Sequence, residues 1–221
     1  MNFKDNEQLI KEQIAVIFDA THYNLEFTPK LIGLILSKTY QNWNNEVYYQ
    51  YLNRFDLPVN KKLKTFSRGM KMKLEFAIAF SHGAKLLILD EATSGLDPIA
   101  RDDILKLIRE FTEDEQHTVL MSSHITSDLD KIADYIAYIH QGQLQFIKSY
   151  DEINEDYGII NGGRDLLDTL NSKDIIAYLK QPYSYSILIK NRQSIQSVFA
   201  DLEIKRPTVE DLMLFYVKGV Q

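Results

Sequence analysis

The apolar positions of the chain change period several times, and each change marks an element. Residues 5–13 read as a short polar helix leading into Ile14-Ala15-Val16-Ile17-Phe18, an apolar run of strand composition. Residues 28–57 read as helical. Thr28-Pro29 is a favourable start, and Leu31, Leu34, Ile35, Val47, Tyr51, Leu52 and Phe55 recur at helical spacing. Leu57-Pro58-Val59-Asn60 breaks that pattern. Apolar residues at 70, 74, 77, 78 and 80 predict an amphipathic helix from Met70 to Phe80. Lys85-Leu86-Leu87-Ile88-Leu89 is a continuous apolar run, the mark of a strand covered on both faces in a parallel sheet. Helix-like residues 98–112 follow, then a second buried strand over 118–122 and a helix over 126–134. Residues 135–140 and 144–148 about Gln141-Gly142 predict a hairpin. Strand, helix, strand, helix argues for an α/β sheet with crossover connections. From about Tyr150 the pattern loosens into short strands and helices. It ends in a helix after Pro207, where Thr208 and Asp211 have capping-box spacing.

Chemistry enters where the 85–89 strand stops. Asp90 and Glu91 place two carboxylates at the C-terminal end of that strand, the sheet edge where open α/β proteins bind ligands. Adjacent acids there suit phosphoryl chemistry: one helps to hold Mg²⁺, usually through water, and the other orients or deprotonates an attacking water. Taken alone, the pair reads equally well as a strand ending in solvated acids. Its surroundings decide the matter. Ser94-Gly95-Leu96-Asp97-Pro98 follows, and the next strand runs into Ser122-Ser123-His124, which brings a histidine to the same edge. Upstream, Phe66-Ser67-Arg68-Gly69-Met70 sets a serine and a glycine at a helix start, where free N–H groups and the helix dipole favour anions.

These residues resemble, in order and spacing, the signature motif (Ser67, Gly69), Walker B (Asp90, Glu91), D-loop (Ser94 to Asp97) and H-switch (His124) of ABC nucleotide-binding domains. The resemblance runs from about residue 14 to 148. It implies an α/β fold, an incomplete ABC-ATPase core of the P-loop NTPase kind. Its helical subdomain would span about 22–80, with the Walker B, D-loop and H-switch segment at 85–124. A small C-terminal α+β accessory region would follow, so that residues 1–150 form the partial ATPase domain and 151–221 the accessory part. The family sandwiches two ATPs between two such domains and drives a membrane transporter. By position, Asp90 would be the Mg²⁺ carboxylate, Glu91 the general base and His124 the γ-phosphate contact. Ser67 and Gly69 would touch the ATP of a second ABC ATPase domain, and Asp97 would couple the two sites. The Phe66–Lys71 form and the ending from Pro207 to Gly219 are similar to ATPase subunits of bacterial ABC-2-type exporters, including those tied to export of, or resistance to, amphipathic and antimicrobial peptides. The implied partners are a polytopic permease and the second ATPase domain. The implied location is the cytoplasmic face of the cell membrane, reached through the permease.

The sequence departs from that pattern in three places. Arg68 stands where a second glycine is common and narrows the anion site, and Met70 stands where glutamine is common. Asp19 occupies the Q-loop position, where a carboxylate binds a hydrated metal yet donates no hydrogen bond unless protonated. Third, no Gly-x-x-x-x-Gly-Lys-Ser/Thr phosphate loop occurs among the nine glycines. The nearest approach, Gly33 to Thr39, lacks the second glycine, lies inside an expected helix and reads as core packing. The simplest reading is a chain that starts late, with weak or nil ATP affinity of its own and apolar sheet surface left uncovered. A second reading is a non-catalytic module that lends its signature and D-loop to a partner's ATP.

Composition narrows the field further. The 221 residues carry 25 basic and 31 acidic side chains, a net charge of −6 that gives no support to nucleic-acid binding. Absence of cysteine excludes disulfides and thiolate metal sites. No apolar run approaches the ~20 residues that cross a bilayer, and the polar start Met1-Asn2-Phe3-Lys4-Asp5 does not read as a signal peptide. The chain is therefore expected to be soluble. His22, His82, His117 and His140 sit in no metal-ligand spacing and read as surface or packed residues.

Overall fold

The computed structural model describes residues 6–220, which form two compact units, one ending at His124 and one starting at Ile125. The first contains α1 (Glu7–Glu12), β1 (Ile14–Ile17), α2 (Pro29–Leu36), α3 (Asn45–Arg54), α4 (Arg68–Ser81), β2 (Leu86–Asp90), α5 (Pro98–Thr112) and β3 (Thr118–Ser122). β1, β2 and β3 pair in that order and all in parallel, with Ile17, Leu89 and Met121 in register across the sheet. Parallel strands need long crossovers; α2, α3 and α4 fill the first and α5 the second.

Expected coverage of both sheet faces is only half met. Ala15, Ile17, Leu87 and Leu89 are buried, but Val16 is 45% and Leu120 64% exposed. α4 packs on β1, α5 packs on β3, and the two helices touch each other, so both cover the same face. The other face carries apolar side chains in a largely open position.

The helix expected over 28–57 is two helices. Polar residues from Ser37 to Gln41 supply no apolar face with which to continue. The Ser37 and Thr39 hydroxyls fold back to donate to the carbonyls of Leu34 and Ile35. Asn44 then starts α3 by accepting from the N–H groups of Glu46 and Val47. The two helices pack through a cluster that includes Ile32, Leu36, Tyr48, Leu52 and Leu74. Gly33 lies against the Tyr48 ring, whose hydroxyl donates to the Pro29 carbonyl at 2.9 Å. This glycine is a packing residue, as its helical setting suggested.

The second unit contains α6 (Thr126–Ile132), β4 (Tyr135–His140), β5 (Gln143–Ser149), α7 (Tyr150–Asp156), β6 (Gly158–Gly162), α8 (Arg164–Thr169), β7 (Ile175–Lys180), β8 (Tyr185–Ile189), α9 (Arg192–Val198) and α10 (Val209–Lys218). β4 and β5 form the expected hairpin, turned at Gln141 and Gly142 with φ of 50° and 75°. β6, β8 and β7 form an antiparallel sheet. Ile136 and Phe146 of the hairpin share one core with Leu188, Leu212 and Phe215. That burial places the hairpin in the second unit, whereas the sequence reading grouped it with the first. The Thr208–Asp211 capping box is present at the start of α10.

A β-carbon at Gly33 would sit 2.6 Å from the Tyr48 ring. Gly33→Ala is therefore expected to lower unfolding free energy by about 1–3 kcal/mol in a denaturant titration, the usual effect of overpacking.

Candidate functional site

Register decides the site. Asp90 and Ser122 are partners across β2 and β3, the last residues of their strands. Ser122 Oγ donates to Asp90 Oδ1 at 2.6 Å. The next residue, Glu91, turns out of the strand with φ of 53°, a left-handed conformation that costs a non-glycine residue about 1–2 kcal/mol. Its N–H is shared between Ser122 O and Ser122 Oγ, both at 3.2 Å, which offsets that strain. The same turn carries the Glu91 carboxylate to His124. The His124 N–H donates to Oε2 at 3.3 Å, and Nε2 stands 3.2 Å from Oε1. Glu91 is half-buried while the imidazole is 92% exposed. The structure thus gathers Asp90, Glu91 and His124 at one sheet edge and adds Ser122, which the sequence reading did not single out. Its only signal lay in the equal lengths and aligned ends of the two strands.

Ser67, Gly69 and Asp97 meet at a second place, where two helices begin. Ser67 is the N-cap of α4 and accepts from the Met70 N–H. Asp97 is the N-cap of α5, accepts from the N–H groups of Ile99 and Ala100, and is followed by Pro98 at N1. Gly69 lets the two starts approach, since a β-carbon there would lie 3.0 Å from Ala100 Cβ. Arg68 spans both. Its Nη1 would be 2.6 Å from a β-carbon at Gly95, a residue held at φ of 65°, and its Nη2 is 3.7 Å from Asp19 Oδ2. Asp19 is thus placed beside Arg68. Among the described residues no group of three or more His, Asp or Glu side chains is arranged to hold a metal ion, so Asp19, Asp90 and Glu91 do not form one cluster.

Beside Asp19 runs a groove of about 380 Å³, lined by Phe18, Thr21, Leu25, Lys71, Met72 and Glu75 among others. Thr21 Oγ1 donates to Glu75 Oε1 at 2.6 Å. Desolvation pushes the Glu75 carboxyl up to about 7, and the Thr21 hydrogen bond opposes it only in part. No motif drew attention to this pair, whose members are 54 positions apart.

The donor set fits a hydrated divalent cation at Asp90. The residue is exposed and commits Oδ1 to Ser122, and Mg²⁺ takes one or two carboxylates while keeping several waters. A phosphate cradle is a different matter, because these residues contain no glycine-rich loop ending in lysine. What they offer an anion is the start of α4 with Ser67 and Arg68.

Comparisons with known proteins agree with this geometry. The family model described as ABC transporter matches residues 1–94. The chain is 27% identical over 148 residues to the ABC transporter ATP-binding protein YtrB of Bacillus subtilis, covering 67% of this chain and 51% of that protein. It is 43% identical over 91 residues to the lantibiotic transport ATP-binding protein SrtF of Streptococcus pyogenes, covering 41% of this chain and 39% of that one. Matched stretches therefore span about half or less of these curated relatives. Among solved structures, the ATP-binding subunit of an ABC transporter superposes with a TM-score of 0.61 at 24% identity, covering 70% of this chain and 66% of that one. The fold is a mixed α/β one of the ABC-ATPase kind.

Two outcomes follow from the site. Ser122→Ala leaves Asp90 Oδ1 without its donor and Glu91 N–H with the carbonyl alone, and should cost about 1 kcal/mol of stability by urea unfolding, with Glu91 shifted in amide NMR. For Glu75, the raised value means that the folded state holds its proton more tightly than the unfolded chain. Stability should fall as pH rises from about 4.5 to about 7 and then level. Glu75→Gln should flatten that segment of the profile.

Proposed function

We propose that the chain is part of the ATP-binding subunit of an exporter-type ABC transporter. The observation that carries this is the Asp90–Glu91–Ser122–His124 constellation at the C-terminal edge of the parallel sheet. The relative named for lantibiotic transport supports the exporter class.

In this reading Asp90 would hold Mg²⁺, and the ion when bound would neutralise phosphate charge. Glu91 accepts the proton of the attacking water. Its left-handed backbone and the His124 N–H fix its carboxylate, while the His124 ring, standing in solvent, reaches for the terminal phosphate. Ser67 and Gly69 present the start of α4 to ATP held by a second ABC ATPase domain, and Asp97 couples the two sites. Asp19 offers its carboxylate to a hydrated metal from beside Arg68. The glycine-rich phosphate loop comes from sequence outside these 221 residues, in the same polypeptide or in another. Among the described residues no helix is long and apolar enough to cross a membrane. A polytopic permease therefore provides the membrane part and holds the ATPase at the cytoplasmic face.

A second reading, a non-catalytic module that completes a partner's ATP site, is favoured by the exposure of Ser67, Arg68 and Asp97 at the helix starts. Both readings make the same first statement about the purified chain. Calorimetric titration with Mg-ATP should show no saturable binding, alike for wild type and Asp90→Asn. Micromolar binding that Asp90→Asn abolishes would overturn the assignment of the phosphate loop to other sequence. Addition of an ABC ATPase domain with an intact phosphate loop separates the two readings. A subunit with its own loop upstream gains hydrolysis only when that segment is joined to it. A trans-acting module raises the partner's hydrolysis, and Ser67→Arg removes the gain.

A further inference from the structure

A groove of about 320 Å³ lies at the N-terminal edge of the parallel sheet, opposite the edge that carries Asp90 and Glu91. Gly83 and Ala84, which lead into β2, and His117, which leads into β3, line it. Its size is at the lower end of the roughly 300–1,000 Å³ found for small-molecule sites. One wall is a row of rings: Tyr51 of α3, Phe80 of α4, Phe111 of α5 and then His117. Centroid separations along the row are 4.8, 5.6 and 4.3 Å, and the last two pairs stack at 22° and 9°.

The charges beside that wall have one sign. Among the described residues that line the groove are Glu110 and Asp114, and no lysine or arginine. Arg54 donates to both Glu110 oxygens, at 2.8 and 2.7 Å, and so neutralises that acid from outside the groove. Lys85, the residue after Ala84, donates to Gln116 Oε1 at 3.2 Å. Asp114 is placed differently. It accepts from the Gln116 N–H at 3.0 Å, and its Oδ2 stands 4.0 Å from His117 Nδ1. His117 Nδ1 lies 3.1 Å from the Phe111 carbonyl, which can only accept, so Nδ1 carries the proton and Nε2 remains an acceptor. The backbone adds to the same sign. α4 ends at Ser81 and α5 at Thr112, which brings the negative ends of two helix dipoles beside the groove.

We propose that this groove binds a small organic cation, a short apolar body with one ammonium or guanidinium head. The rings receive the body, and their electron-rich faces attract the charge as well. Asp114 and His117 Nε2 accept hydrogen bonds from the head, and the two helix ends strengthen its attraction. An anion of the same shape meets repulsion from each of these groups, and a neutral molecule gains the apolar contact alone. The site shares no residue with the nucleotide constellation and stands independently of it.

The test is an NMR titration of the ¹⁵N-labelled full chain with three probes of one shape. Phenethylamine is cationic, phenethyl alcohol neutral and hydrocinnamate anionic. Phenethylamine should shift the Gly83, Ala84, Gln116 and His117 amides saturably. The alcohol should bind there about tenfold more weakly, the loss of one charge-assisted hydrogen bond, and hydrocinnamate not at all. Asp114→Asn keeps an oxygen to accept from Gln116 but removes the charge. It should weaken phenethylamine by about tenfold and leave the alcohol unchanged. Equal binding of the three probes overturns the proposal, and that comparison needs no variant to fold. So does an Asp114→Asn chain that binds phenethylamine as wild type does. Shifts confined to Val16 and Leu120 also overturn it, because they place the probe on the open sheet face. Arginine amide, a cationic head without a ring, is the last probe. Tighter binding than phenethylamine would assign the groove to a side chain of a partner protein and overturn the small-molecule reading.

Discussion

Parallel pairing of β2 with β3, in the one register that sets Asp90 opposite Ser122, is the constraint on which the site depends. A slip of one residue would turn every side chain of a strand to the opposite face. Leu87 and Leu89 would leave the core, so hydrophobic burial fixes the register, and the register in turn delivers the Ser122 hydroxyl to Asp90 and the turn of Glu91. The chemistry is thus held in place by apolar side chains that never touch it. The strained backbone at Glu91 is tolerable for the same reason: both acceptors of its N–H sit on a strand end that packing has already fixed.

The residues that resemble the signature and D-loop also do ordinary structural work. Ser67 and Asp97 are helix N-caps, and each loss to alanine costs about 1 kcal/mol in general. Loss of function after such a substitution would therefore mix two effects. The structure explains why these roles coincide. A capping side chain sits where backbone N–H groups point outward, and that same place is where a helix greets an anion. Arg68, at the first position of α4, adds a cation there and lies close to both Asp19 and Gly95.

The uncovered sheet face is the other consequence of composition meeting topology. Parallel strands are normally covered on both sides, and the apolar runs 14–18 and 85–89 are written for such a setting. Here α4 and α5 protect one side, and Val16 and Leu120 stand largely in solvent on the other. Exposed apolar area of this kind favours association, so the state of the purified chain bears directly on any binding measurement made with it.

Much of this was legible in the sequence. Helical period gave α4 and α5, apolar runs gave β1 and β2, the Gln141-Gly142 turn gave the hairpin, and Thr208 with Asp211 gave the start of α10, because each of these signals lies within one element. The same local signals failed where continuity was assumed. Helical spacing on either side of 37–44 hid the break between α2 and α3, and the apolar pattern of the hairpin did not say which core it would join. Order along the chain was enough to bring Asp90, Glu91 and His124 to one edge. It could not reveal that Ser122 bridges them, that Arg68 faces Asp19 and Gly95, or that Glu75 lies under Thr21. Those pairs are 27 to 54 positions apart in the chain. Contacts at such separations come from how strands register and helices pack, which is decided by the burial of the whole unit and leaves no periodic trace at either residue.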